Sequence, residues 1–333
     1  MLPQDIPKCV ELIASHPILG PRYGNTIPEL HAAWLRLAGS ESKRSLVFEE
    51  VDGARVRMWG VGFTVFVAND LLRELKSPPL GWFGPELAQR IAGGEPLVLS
   101  DRELRDANSD GGVTLLLWEA CTRPEDALRP ELLNHMVSAL IEVHRGFYWK
   151  ELMVGQVESG ERLRMMLKMG ALLWNPAEGE YIDGAWEDAE AVVRTPHVLG
   201  ISREARPESL MSWLGTLFDY HAPQFGFSRG EQRLLALALA GETDEELSSR
   251  LGISLSGVKK MWLSIYGRMA GCLPETAPDH LTEKRWIVQA RGKEKKRHLL
   301  AYLHRHPEEL CPISRRTAWR RAISVAATEA LWS

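Results

Sequence analysis

Apolar residues in the first two hundred positions recur at either about 3.6 or about two residues, and this alternation predicts the elements there. Helical spacing predicts helices over 5–15 (DIPKCVELIAS), 26–38 (TIPELHAAWLRLA) and 129–147 (RPELLNHMVSALIEVHRGF). The last sets Leu132, Leu133, Met136, Leu140, Ile141 and Val143 close to the helical period. Strands are predicted over 45–51 (SLVFEEV), 55–67 (RVRMWGVGFTVFV), 113–119 (VTLLLWE) and 151–157 (ELMVGQV). SESK, VDG and NSDGG mark turns between them. A further helix is predicted over 160–172 (GERLRMMLKMGAL). The mixture makes residues 1–202 an α/β (α+β) domain. No segment repeats at a fixed period, which excludes a solenoid.

The pattern breaks over 203–226 (REARPESLMSWLGTLFDYHAPQFG), the predicted linker, although Trp213, Phe218 and Tyr220 point to partial packing. From Ser228 the spacing is helical throughout. Ser228-Arg-Gly-Glu231 and Thr243-Asp-Glu-Glu246 are capping boxes, in which a hydroxyl accepts from an orphan amide and the Glu returns a bond to the cap's own N–H. Gly241 supplies the left-handed residue that ends the first of these helices, and Gly252 the tight turn after the second. The first buries Leu234, Leu235, Leu237 and Ala238; the second buries Leu247 and Leu251. Ser254 or Ser256 caps a third helix, which buries Val258, Trp262 (or Met261), Ile265 and Met269. Ser256, Lys259, Lys260, Leu263 and Ser264 fall off that stripe. A short helix, a three- to four-residue turn with Gly, and a helix with basic residues near its start form the helix-turn-helix arrangement, whose second helix enters the major groove.

Charge supports that reading. Residues 228–333 carry 18 Lys+Arg against 12 Asp+Glu, and residues 1–227 carry 22 against 32, so the back is at +6 and the front at −10. A polyanion is the natural partner of such a back half. Most of the excess lies beyond 270: residues 284–321 hold 12 Lys+Arg and three acidic residues. There EKKRHLLAYLHRH (294–306) has an apolar stripe at Leu299, Leu300 and Leu303. RRTAWRRAISVAATEALW (315–332) sets Trp319, Ala322, Ile323 and Ala326 opposite four arginines. These basic faces are either a clamp on phosphates or solvated backs of packing helices. The clustered His298, His304 and His306 belong to a surface helix rather than a metal site.

Residues 227–269, FSRGEQRLLALALAGETDEELSSRLGISLSGVKKMWLSIYGRM, resemble the LuxR-type (GerE-like) helix-turn-helix of bacterial transcription regulators. That family runs L-T-x-R-E-x-x-V-L, then G-x-[ST]-x-x-E-I-A-x-x-L, then S-x-x-T-V-x-x-H. Glu231, Gly241, Glu246, Leu247, Leu251, Ser254, Val258, Ile265 and Met269 stand at matching positions, and Phe227-Ser228 replaces the opening Leu-Thr. Gly257 replaces the family's Thr, Met261 its His and Gly230 its Arg. The resemblance implies a DNA-binding domain over 227–270, followed by a basic helical extension over 271–333. It implies contacts to duplex DNA from Ser254, Ser256, Gly257, Lys259, Lys260, Leu263, Ser264 and Arg268. Lys293, Lys295, Lys296, Arg297, Arg315 and Arg316 are candidate phosphate contacts in the tail. A homodimer on a two-fold site and RNA polymerase as a partner are further expectations.

The front is similar to the second half of a GNAT-type acetyltransferase: strand 113–119, long helix, strand 151–157, helix. That family holds the acetyl-CoA pyrophosphate with an [RQ]-x-x-G-x-[GA] turn, whereas ACTRPEDALRPEL (120–132) contains no Gly. Backbone amides cannot approach phosphates there in the way such a turn requires. The front therefore reads as a sensor for a small-molecule effector or a protein partner, with no cofactor and no enzymatic role; an acyltransferase fused to a DNA-targeting tail, or an adaptor that does not bind DNA, is the alternative. No acidic pair marks a phosphoacceptor, and Asp70 is expected as a helix cap. The Trp/Tyr/Asp set of acyl-homoserine-lactone receptors is not evident, and no Ser/His/Asp or Cys/His arrangement stands at catalytic spacing. The front tryptophans (Trp34, Trp59, Trp82, Trp118, Trp149, Trp174, Trp186) are expected in the core.

The longest apolar runs, VGFTVFVA and VTLLLW, fall far short of the ~20 residues that span a bilayer. No secretory signal is recognisable at the start. Cys9, Cys121, Cys272 and Cys311 are far apart and expected as free thiols in a reducing cytoplasm.

Overall fold

Alternating and continuous apolar runs pair into one six-stranded sheet, in the order β1-β2-β3-β4-β6-β5. The structure, a computed structural model, describes residues 1–53, 55–77, 82–127, 129–157, 172–173, 197–204, 217–272 and 292–312. The chain divides into two units between Asp219 and Tyr220, within the predicted linker, and Arg145–Phe147 belong with the second.

The first unit opens with α1 (Ile6–Ser15), α2 (Leu19–Tyr23) and α3 (Ile27–Leu37). Strands β1 (Lys43–Asp52) and β2 (Arg55–Phe66) form a hairpin whose turn Gly53 takes up at φ +57. Helices α4 (Asn69–Leu75), α5 (Phe83–Gly93) and α6 (Asp101–Ser109) lead to β3 (Val113–Thr122), α7 (Pro130–His144) and β4 (Trp149–Val157). The two-residue β5 (Leu172–Leu173) and β6 (His197–Ser202) complete the sheet. All but Leu172 of the helix expected over 160–172 lies outside the described residues, and Leu172 opens β5.

Four helices, α2 and α4 to α6, come in addition to those the periodicity singles out. The signal for α6 is local: Ser100 accepts from the Glu103 N–H while Glu103 accepts from the Ser100 N–H. Asp70 is not the cap of α4. Ala68 holds that position, and Asp70 pairs with Arg73 one turn on.

β3 and β4 form the parallel pair, joined through α7. That pairing covers Val113–Leu116 and Trp149–Met153; beyond it β3 pairs only with β2, and β4 only with β6. A bulge at Trp118 shifts the β2–β3 register, with Phe63 opposite Glu119 and Thr64 opposite Leu117. Gly62 on β2 admits α7, since a Cβ there would stand 3.3 Å from the Leu140 side chain. Trp34 stacks on Phe63 at 4.3 Å, with Trp118 edge-on to both, and Trp59 and Trp149 are also buried. These four expected core positions fill the core; Trp174 and Trp186 lie outside the described residues, and Trp82 is half-buried beneath the Arg22 guanidinium.

The second unit contains α8 (Arg229–Leu239), α9 (Asp244–Leu251), α10 (Leu255–Gly271) and α11 (Gly292–Arg305). The buried apolar residues on α8, α9 and α10 are the ones the spacing assigns, with Trp262 rather than Met261 inside and Leu251 half-buried. α11 belongs to the same core. Leu299, Tyr302 and Leu303 pack with Leu234, Leu247 and Ile265, so the expected stripe gains Tyr302 while Leu300 is half-buried. A short 3-10 turn, Pro307–Leu310, follows. Its Glu309 carboxylate is buried and accepts from the N–H groups of Gln224 (3.0 Å) and Phe225 (3.1 Å), tying that turn to the segment that precedes α8. The helix expected over 315–332 lies outside the described residues. Among those described, no helix is long and apolar enough to cross a membrane.

Candidate nucleic-acid interface

Two capping boxes and one turn set the position of α10. Glu231 Oε2 accepts from the Ser228 N–H at 2.7 Å, and Glu246 Oε2 accepts from the Thr243 N–H at 2.7 Å. Gly252 ends α9 in the left-handed conformation (φ +66), and Ser254 caps α10 by accepting from the Gly257 N–H at 3.1 Å. Only residues 252–254 therefore separate α9 from α10. The apolar stripe Val258-Trp262-Ile265-Met269 then anchors α10 by its inner side. Leu255, Ser256, Lys259, Lys260, Leu263, Ser264 and Arg268 are exposed.

The nominated residues separate into three groups, with Gly257 apart from them. Lys259 and Lys260 form no ion pair among the described residues, and α10 carries no carboxylate anywhere in its sequence. Leu263 is 71% exposed. These three point outward unengaged. Ser254 is committed to the cap, and its hydroxyl is 2.9 Å from that of Ser256. Ser264 and Arg268 turn inward instead: the Ser264 hydroxyl donates to Glu231 Oε1 at 2.7 Å, and Arg268 Nε lies 2.9 Å from Glu231 Oε2. Gly257 is half-buried, and a Cβ on it would meet Ile253 and Ser254 at ordinary contact distance, 3.5 Å.

Glu231 is thus a hub whose reach, 33 and 37 residues along the chain, the local capping signal does not reveal. Burial opposes its charge, but hydrogen bonds from Ser264, Ser228 and Arg268 outweigh that, holding the carboxyl below its ordinary range. Two departures from the family pattern also meet: a Cβ on Gly230 would lie 3.5 Å from Met261 Cε.

The basic residues of α11 are largely engaged within the unit. Lys296 Nζ is 3.0 Å from Asp244 Oδ1, which also accepts from the Trp262 indole N–H at 3.2 Å, and it lies 4.7 Å from the Trp262 ring centre. Lys295 lies over Tyr266 at 4.9 Å, and Arg297 pairs with Glu294 at 2.8 Å. Lys293 is in the first turn of α11, its side chain outside the described residues, as are Arg315 and Arg316 entirely. Sequence spacing could not reveal the Asp244–Trp262–Lys296 cluster, because its members come from three helices. Of the clustered histidines, His298 is near Glu294 (3.6 Å) and His306 near Glu308 (2.9 Å). No group of potential metal ligands forms among the described residues.

In the first unit the glycine-free turn before α7 is occupied by the protein's own charges. Arg57 donates to both oxygens of the buried Asp126, at 2.7 and 2.9 Å, and to Glu50 at 2.8 Å. Arg129 adds bonds to Asp126 and Glu131. The hydrogen bonds from Arg57 hold Asp126 below the usual carboxylate range. The N–H groups of Asp126, Ala127, Arg129, Leu132 and Leu133 all donate to nearby backbone carbonyls. Few amides are left to cradle a phosphate.

A second polar cluster in this unit escapes any reading of the sequence. Glu119, beside the β3 bulge, accepts from the Tyr23 hydroxyl at 2.7 Å, and the Trp118 indole N–H donates to that hydroxyl at 3.1 Å. Burial pushes the Glu119 carboxyl up to about 7. Ninety-six residues separate the two bonded partners, a distance over which periodicity carries no information.

Comparison with known proteins finds no matching family model, curated protein or solved structure.

Proposed function

We propose that this chain is a transcription regulator in which the second unit binds duplex DNA by inserting α10 into the major groove, while the first unit responds to a ligand or partner. The observation that carries this reading is the outer face of α10. Two lysines free of ion pairs among the described residues stand on a carboxylate-free helix, and that helix is positioned by a capped three-residue turn. The LuxR-type resemblance of residues 227–269 supports it, as does the +6 charge of residues 228–333. Lys259 and Lys260 contact phosphates or purine edges. Glu231, Ser264 and Arg268 act within the protein, holding α10 against α8. A cytoplasmic homodimer on a two-fold site belongs to the same reading.

A second reading, a GNAT-like acyltransferase fused to a DNA-targeting unit, draws on the sheet: β6 inserted between β4 and β5, and a parallel β3–β4 pairing that stops halfway. The Arg57–Asp126–Arg129 cluster weighs against it, because an internal carboxylate sits where that family receives a pyrophosphate. Titration of the full-length chain with acetyl-CoA separates the two; binding at micromolar concentration favours the enzyme.

The DNA-binding reading is tested by recovering genomic fragments with the full-length protein, then titrating the best fragment with salt. Discrete fragments and a steep salt dependence are expected. Replacing both Lys259 and Lys260 by Ala lowers the log–log slope by about 1.8 if each meets a phosphate, at ~0.9 per contact. An unchanged slope overturns the placement of the groove face.

A further inference from the structure

Leu263 is the most exposed of the large hydrophobic side chains among the described residues, at 71%. One exposed leucine on a protein surface is ordinary; its setting is not. Along the outer face of α10, residues four apart form two parallel ridges. One runs Leu255, Lys259, Leu263; beside it runs Ser256, Lys260 and then Ser264, whose hydroxyl turns back to Glu231. All six residues are exposed, and the first ridge alternates apolar, cationic, apolar. At 1.5 Å per residue, Leu255 to Leu263 spans about 12 Å, roughly three to four base-pair steps. A ridge ending in two leucines does not suit phosphates, which need donors. It suits a surface on which apolar groups sit among anions. The major groove has one such group on its standard bases, the C5-methyl of thymine.

We propose that Leu263 is a specificity-determining residue that packs against a thymine methyl while Lys259 and Lys260 hold α10 on the DNA. This rests on the DNA-binding reading and goes beyond it, because it assigns a base identity to one side chain. Charge complementarity selects DNA over a protein partner: the ridge is flanked by two lysines that no described carboxylate neutralises, on a helix with none of its own.

Replacing thymine by deoxyuridine removes that methyl and nothing else, which isolates the contact. The best genomic fragment recovered by the full-length protein is mapped by footprinting. Duplexes are then made with each thymine in the footprint changed singly to deoxyuridine. At one or two positions the affinity of the unmodified protein falls about fourfold, the effect of exposing one methyl-sized group. Leu263→Ala binds the natural duplex more weakly and is insensitive to deoxyuridine at those positions. Leu263→Met, which keeps an apolar side chain of similar size, retains the sensitivity, as does the Lys259→Ala/Lys260→Ala double variant, though it binds more weakly everywhere. Equal melting temperatures of the Leu263 variants and the unmodified protein exclude loss of fold.

Discrete fragments with no deoxyuridine-sensitive position, or sensitivity that survives Leu263→Ala, overturn the assignment of Leu263 and leave the DNA-binding reading standing. Recovery of no fragments overturns the DNA-binding reading, recovery of all fragments equally overturns its sequence-reading groove contact, and Leu263 falls with either.

Discussion

Glu231→Gln is the substitution with the most to say about how the second unit is held together. It keeps the volume of a side chain that is 4% exposed, so packing is undisturbed and only charge and hydrogen bonding change. Three donors meet the carboxylate: the Ser228 N–H and the Ser264 hydroxyl at 2.7 Å each, and Arg268 Nε at 2.9 Å. A hydrogen bond to a charged acceptor contributes about 1.5–3 kcal/mol and one to a neutral acceptor about 0.5–1.5, so neutralisation costs about 1 kcal/mol per bond. Ser264 is exposed and the Arg268 side chain is 44% exposed, so water replaces part of what those two lose, and the ion pair itself is screened. The amide also retains one acceptor oxygen. The expected loss is therefore about 2 kcal/mol rather than three full increments.

Hydrogen exchange of α8 and α10 amides in the full-length chain measures this directly, free of the first unit's unfolding. The pH dependence adds a second readout. The folded carboxyl titrates below its ordinary value, so on acidification the unfolded chain binds the proton first. The stabilisation is complete above the unfolded value and disappears as pH falls through the folded one. The difference between the unmodified protein and Glu231→Gln should accordingly shrink as pH falls below the ordinary Glu value of about 4.3. A difference below about 0.5 kcal/mol at neutral pH, or one that does not change with acidification, would refute the hub described for Glu231.

Four further outcomes are expected. Gly257→Ala raises the melting temperature and the stability of the second unit by about 0.5–1 kcal/mol, since the position is helical and a Cβ there meets only ordinary contacts; a drop would reveal a clash. Leu303→Ala costs about 2–5 kcal/mol in urea unfolding of the second unit, because α11 packs into the core of α8 to α10; a cost under ~1 kcal/mol would make α11 an appendage. Lys296→Met keeps an apolar stem over Trp262 and costs under about 1 kcal/mol, since Asp244 retains the indole donor. For Glu119 the sign is the reverse of Glu231: the folded carboxyl, at about 7, lies above the unfolded value, so its stabilising effect is present in acid and lost as pH rises from about 4.5 through 7. Exchange of β3 amides in Glu119→Gln should lack that decline.

Much of the second unit is legible in the sequence, because its signals are local. Both capping boxes, the left-handed glycines Gly241 and Gly252, and the stripe of α10 are relations between residues at most a few turns apart. Such patterns act on the backbone wherever the rest of the chain lies. The strands and the long helix of the first unit are legible for the same reason, with ends shifted by a few residues: strand 113–119 extends to Val113–Thr122, and helix 129–147 shortens to Pro130–His144. The serine–glutamate pair that opens α6 carries the same kind of signal, although periodicity alone passes over a helix so polar.

Tertiary structure alone decided three things. It placed β6 between β4 and β5, which no spacing within a strand specifies, because pairing order depends on which edges are free once the chain has folded back. It brought Tyr23 to Glu119, Arg57 to Asp126 and Lys296 to Asp244. It also divided the polar residues of α10 into those turned inward to Glu231 and those left facing water. From the sequence alone Lys259, Lys260, Leu263, Ser264 and Arg268 all stand on the outer side of one helix. Packing against α8 decides the rest, since a side chain within reach of a buried carboxylate is drawn to it, and one a turn away remains free for a partner.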